Sequence, residues 1–203
     1  MANDSMIQSP LSNDSMIRTV SMTVNSYVIF IDQEIGDPDR YRDVVQVLAT
    51  AGENDHVNFV VNSPGGRLDS MGQIIDAIGV CAADVSCTVL GAAYSAASML
   101  ACMIPDCQIS DSAEFMIHTA SYGSVGTTPN IKNHTDFVHR QISRLIDQCY
   151  GGFLTPEEIE QVKNGREYWF DATEARERMQ KRRDFIENPP KPKKPRKPKT
   201  PAA

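Results

Sequence analysis

The run Gly91-Ala-Ala-Tyr-Ser-Ala-Ala-Ser-Met-Leu100 holds two serines, Ser95 and Ser98, three residues apart. A hydroxyl where a strand turns into a helix is a candidate nucleophile, because the unpaired backbone N–H groups of the helix start can stabilise an oxyanion. The same small residues also suit a helix that packs closely on a sheet, and the residues alone leave both readings and both serines open. A serine hydroxyl is a weak nucleophile without a base, and the base needs an acceptor to fix its tautomer. His118 closes the apolar run Phe115-Met-Ile-His118. Taken alone, a histidine so placed is more often structural. Beside a serine at a helix N-terminus and the Gly-Gly turn of Asn62-Ser-Pro-Gly-Gly66, it becomes a candidate general base for acyl transfer.

These three segments need elements that bring them together. Tyr27–Ile31 reads as a buried strand, and Asp37-Pro38 as the capped start of a helix carrying Val44, Val45, Val47 and Leu48. The alternation then repeats: a strand at Val57–Val61, the Asn62–Gly66 turn, a helix through Met71, Ile74, Ile75 and Ile78, and a strand at Val85–Leu90. Strands separated by helical patterns predict βαβ units and a mostly parallel sheet. Active sites of such sheets collect beyond the C-terminal strand ends, where all three segments fall. Short strands follow around Cys107–Ser110 and Phe115–Ile117, then an amphipathic helix at Asn130–Tyr150. Thr155-Pro-Glu-Glu158 and Asp171-Ala-Thr-Glu174 read as capping boxes.

The 203 residues suffice for one core with tails. Residues 1–20, in which Asn3-Asp-Ser-Met-Ile7 recurs as Asn13–Ile17, read as a flexible segment, 21–187 as the folded domain and 188–203 as a disordered tail. The tail holds six basic side chains and no acid, leaving 14 basic against 26 acidic residues elsewhere, a net of −12. It is a solubilising extension or a contact for nucleic acid or an acidic partner. Five cysteines without a Cys-x-x-Cys pair fit a reducing cytosol and argue against a zinc site, and no cofactor is implied. With no long apolar run and no signal-peptide order at the start, the expectation is a soluble cytoplasmic protein with no membrane partner.

Asn62–Gly66, the segment ending Ala92-Ala-Tyr-Ser-Ala-Ala-Ser-Met99, and Met116-Ile-His118 followed by Gly123 and Gly126 resemble the Clp protease proteolytic subunit family. The doubled serine and the Met-Ile-His segment are most similar to the ClpP-like head maturation proteases of tailed bacteriophages. The resemblance covers about Tyr27 to Ala175 and implies an α/β, ClpP/crotonase-like fold of stacked βαβ units with a projecting long helix. Carried over residue by residue, it implies Ser98 as nucleophile, His118 as base, and the backbone N–H groups of Gly66 and Met99 as oxyanion donors. Ser95 is then a packing residue. The acid falls on Glu167, with Asp171 the alternative, its carboxylate already wanted as a helix cap. The charged run Arg176–Phe185 stands where the family has a terminal strand, which puts docking of an AAA+ unfoldase in question.

The resemblance thus implies a serine endopeptidase that binds extended polypeptide as an added strand between Gly66–Leu68 and the segment near Val125. It also implies a ring-like, stacked homo-oligomer, host cytoplasm or prohead as location, and capsid or scaffold proteins as partners if phage-encoded. Two other classes compete: a non-catalytic assembly protein with a nucleic-acid-binding tail, and an acyl-thioester enzyme using paired backbone donors without a triad.

Overall fold

The computed structural model describes residues 23–189, so the repeated N-terminal pentapeptide and the basic tail lie outside the described residues. Strand β1 (Ser26–Ile31) is followed by a single 3-10 turn at Pro38–Tyr41, helix α1 (Arg42–Thr50), β2 (His56–Ser63), helix α2 (Leu68–Val80) and β3 (Asp84–Tyr94). Helix α3 (Ala96–Met103), β4 (Cys107–Ile109), β5 (Glu114–Ile117), the 23-residue α4 (Thr128–Tyr150), α5 (Pro156–Lys163), β6 (Tyr168–Asp171) and α6 (Ala172–Glu187) complete the chain. The sheet runs β1-β2-β3-β5-β6, and β4 also pairs with β3. All pairs are parallel except β5 with β6. This is the α/β, mostly parallel arrangement that the alternating pattern predicts, and it agrees with the fold that the family resemblance implies.

Two local differences bear on the site. The predicted strand at Val85–Leu90 continues to Tyr94, because Gly91-Ala-Ala-Tyr94 stays extended and its last three residues pair with Glu114–Met116 of β5. Aromatic-rich β6, to which the sequence reading gives no strand, adds antiparallel to β5. Asp37 does not act as the expected cap: it makes no capping bond, and its carboxylate meets Arg67 at 3.1 Å. The predicted box at Thr155 is complete, whereas Asp171 accepts from Glu174 N–H while the Glu174 carboxylate turns to Arg178.

The core lies between the sheet and α2 and α3, around Val57, Phe59, Val61, Met71, Ile74 and Leu100, all fully buried. Helix α4 fully buries only Ile146, Cys149 and Tyr150 and packs Ile142 and Leu145 partly against the core, so roughly its first four turns project from the body. Helix α6 has a charged sequence but is not a freely solvated element. Arg176 donates to the carbonyl of Ile109, and Arg178 forms a two-pronged pair with Glu158 at 2.8 and 2.9 Å. Burial alone would raise the Glu158 carboxyl, but Arg178 and Thr155 N–H hold it below the ordinary carboxylate range.

Arg182 is 4% exposed and donates to the carbonyls of Cys102, Gln148 and Gly151, with no carboxylate partner among the described residues. Those carbonyls are orphan acceptors at the C-terminal ends of α3 and α4, where the helix dipoles supply the negative potential that an acid would otherwise provide. Burial pulls this guanidinium below its usual pKa, opposed by the neighbouring Cys102 and Cys149. Arg182→Leu is therefore expected to lower the unfolding free energy by about 3 kcal/mol, as stranded buried polar groups do. Arg182→Lys should retain more than half of that loss in urea titrations, because one ammonium cannot span three carbonyls in a planar fork.

Candidate functional site

The bulge that ends β2 sets the first wall. Between Val61 and Ser63 the register with β3 slips, and the Asn62 side chain fills the gap by accepting from Ala92 N–H at 2.9 Å. Ser63 Oγ donates to Gln33 O at 2.6 Å and accepts from Gly65 N–H at 3.1 Å, folding the turn back against the segment after β1. Gly65 (φ +89°) and Gly66 (φ +145°) are required twice over. Their backbone is in the region that side chains rarely adopt, and a Cβ would collide with Tyr94 O at Gly65 and with Ile35 O at Gly66. Ile35 N–H donates to Gly65 O and Arg67 N–H to Ile35 O, the pattern of a parallel bridge. Alternation along an extended segment then turns the Gly66 N–H away from Ile35, toward the cleft.

The second wall is the strand-to-helix corner. Ser95 is the one described non-glycine residue with positive φ, at φ 55° and ψ −121°, and it is the N-cap of α3. Its N–H donates to Met116 O at 2.8 Å, which ties the corner to β5. His118, two residues further on, places Nε2 at 2.8 Å from Ser95 Oγ. Both side chains are half-buried and line a groove of about 1430 Å³ that runs from Gly66 past Tyr122 to Ile142 on α4.

The expected pairing of Ser98 with His118 is not formed. Ser98 lies one helical turn beyond the corner, fully buried, with its hydroxyl 2.7 Å from Ser95 O, 3.1 Å from Met116 O and 2.7 Å from the Tyr150 hydroxyl. Nor is Met99 N–H free for an oxyanion, since it donates within the helix to Ser95 O at 3.2 Å. The N–H that follows Ser95 is that of Ala96, the first of α3, which has no intrahelical acceptor. What could have identified Ser95 in the sequence is its place directly after the aromatic end of the strand, with two alanines opening the helix.

The carboxylates are placed differently from one another. The β5–β6 ladder pairs Ile117 with Tyr168, and one further step sets Glu167 across from His118 on the same face. The exposed Glu167 carboxylate accepts from Trp169 Nε1 at 2.6 Å, and no hydrogen bond joins it to His118. Asp171 lies four pairs away from Glu167, opposite Glu114, and caps α6.

A serine at positive φ against a histidine, at neighbouring strand ends of a mostly parallel sheet, here stands on an α/β fold of the ClpP-like class. Residues 12–178 match the Clp protease family, and the chain belongs to it. It is 31% identical over 158 residues to ATP-dependent Clp protease proteolytic subunit 1 of Streptomyces coelicolor, covering 74% of this chain and 70% of the relative. Subunit 3 of Streptomyces avermitilis is 29% identical over 155 residues with the same coverage, and subunit 1 of Chlamydia pneumoniae is 29% identical over 123 residues, 59% of this chain and 64% of the relative.

The strained corner has a measurable signature. Ser95→Gly should be more stable than Ser95→Ala by about 2 kcal/mol in chemical denaturation, because glycine alone adopts this backbone without strain. At an ordinary N-cap such as Thr155, at φ −71°, glycine exceeds alanine by less than about 1 kcal/mol.

Proposed function

We propose that the protein is a serine endopeptidase in which Ser95, and not Ser98, is the nucleophile. The observation that carries this reading is the 2.8 Å contact between Ser95 Oγ and His118 Nε2, at the mouth of a groove long enough for extended polypeptide. His118 takes the hydroxyl proton as Ser95 Oγ attacks the scissile carbonyl carbon, and the carbonyl oxygen becomes an oxyanion facing Gly66 N–H and Ala96 N–H. The C–N bond then breaks and His118 delivers the proton to the leaving amine. Water, deprotonated by His118, cleaves the acyl ester and restores Ser95. Glu167 is the acid that fixes the histidine tautomer, favoured over Asp171 by its register opposite His118. Substrate lies along Gly66–Leu68, whose outward backbone offers strand-type hydrogen bonds, facing Ala120–Gly123 across the groove.

In this reading the active form is a homo-oligomer, supported by the projecting α4 and by exposed Val28, Phe30, Leu90 and Phe137. No helix among the described residues is long and apolar enough to cross a membrane, in keeping with a cytoplasmic site of action. The doubled serine and the Met-Ile-His segment favour, within the family, a processing protease of phage head maturation, with capsid or scaffold proteins as substrates.

A fluorophosphonate probe tests the assignment. Peptide mapping should place the adduct on Ser95, with labelling lost in Ser95→Ala and His118→Ala and still detectable in Ser98→Ala. An adduct on Ser98 would reverse the assignment. Glu167→Gln should cut kcat at least tenfold, whereas Asp171→Asn should cost mainly stability, about 1 kcal/mol for a weakened cap.

Sedimentation equilibrium should give a mass several-fold above the 22.4 kDa chain. An active monomer would refute the oligomeric part of the proposal.

A further inference from the structure

Ser95 O is the most heavily engaged acceptor at the site. It receives Ser98 N–H at 3.0 Å, Met99 N–H at 3.2 Å and the Ser98 hydroxyl at 2.7 Å, and the Tyr150 hydroxyl stands within reach at 3.3 Å. The first two are ordinary bonds of a helix start. The other two come from side chains, one reaching from the end of α4, and a buried packing position would require neither. This carbonyl shares a planar trans peptide with the N–H of Ala96, so fixing the oxygen on one side fixes the N–H direction on the other. The Ala96 nitrogen itself lies beside Gly65, on the wall of the groove: a Cβ on Gly65 would lie 3.0 Å from it.

We infer that Ser98 and Tyr150 are positioning residues for the peptide unit between Ser95 and Ala96, orienting the Ala96 N–H that stabilises the oxyanion; the inference rests on Ser95 being the nucleophile. Ser98 Oγ lies 3.1 Å from Met116 O, the same carbonyl that receives Ser95 N–H, so this hydroxyl touches carbonyls on both walls of the corner. Tyr150 is fully buried, its hydroxyl 2.7 Å from Ser98 Oγ. With Tyr150 O–H donating to Ser98 and Ser98 O–H donating to Ser95 O, every proton has an acceptor. Burial pushes the Tyr150 phenol well above its ordinary pKa, against the opposite pull of its Ser98 bond, so it remains a neutral donor across the working pH range.

The role predicts a loss specific to the transition state. Ser98→Ala should lower kcat about tenfold to a hundredfold, in the range of a misplaced oxyanion donor, with KM for a peptide substrate changed less than twofold. Tyr150→Phe removes one hydroxyl at constant shape and should lower kcat about threefold to tenfold in the same manner. For both variants, the Ki of a peptide boronic acid, which forms a tetrahedral adduct on Ser95, should rise in proportion to the fall in kcat/KM. Unchanged kcat in Ser98→Ala and Tyr150→Phe overturns the inference. So does a parallel rise in KM with no selective loss of boronate affinity, the mark of a merely structural role. Probe mapping on wild type separates the two levels: an adduct absent from Ser95 removes the functional reading and the inference with it, whereas an adduct on Ser95 with variants as fast as wild type removes the inference alone.

Discussion

One carbonyl oxygen, that of Ser95, holds the corner on which the rest of the site is built. The chain must leave β3, reverse its hydrogen-bonding direction and enter α3 within a single residue, and an L-residue at φ 55° pays for that with strain. Converging donors stabilise the result. The gain from this costly geometry is directional: the side chain is thrust out of the layer between sheet and helix, toward His118, while the following peptide presents its N–H on the same side.

Around this corner the remaining parts are matters of close approach. Gly65 and Gly66 let the turn after β2 lie against Tyr94 and Ile35 at distances no side chain permits. The irregularity at Asn62 supplies the offset that brings Ser63 opposite Ala93 rather than Gly91, two residues earlier. Met116 links β5 to the corner through its carbonyl, so the position of His118 follows from the same ladder that sets Ser95. The serine, the histidine and the glycines sit at the ends of three neighbouring strands of one sheet, β3, β5 and β2, which fixes their relative placement.

Most of the fold was legible because its signals are periodic: alternating strands and helices, the Thr155 capping box, and the long amphipathic α4. The residues Asn62–Gly66 and His118 were legible as parts of a site because their types are unusual at strand ends. The choice between Ser95 and Ser98 was not, since residues three apart lie on one face of a helix and the decision depends on where the helix begins. Gly91-Ala-Ala-Tyr94 carries little strand propensity, and only pairing with β5 keeps it extended, so local pattern placed the strand end too early. The register that favours Glu167 as the proposed acid exists only once β6 is seen to add antiparallel to β5. Arg176–Phe185 reads only as a charged run, and that Arg176, Arg178 and Arg182 bind into the body was not legible, because sequence does not reveal which carbonyls lie within reach of a guanidinium.

The end of α4 is fastened at two points to the helix that carries the serine. Tyr150 reaches the start of α3 through Ser98, and Arg182 clasps the last carbonyls of α3 and α4 together. The projecting turns of α4 therefore form the long arm of a lever whose fulcrum is the Arg182 clasp and whose short arm ends at Ser95 O. A tilt small enough to leave α4 intact, yet as large as a hydrogen bond is tolerant, loosens the corner. Whatever grips the free end of α4 thus sets the stiffness of the site some six helical turns away.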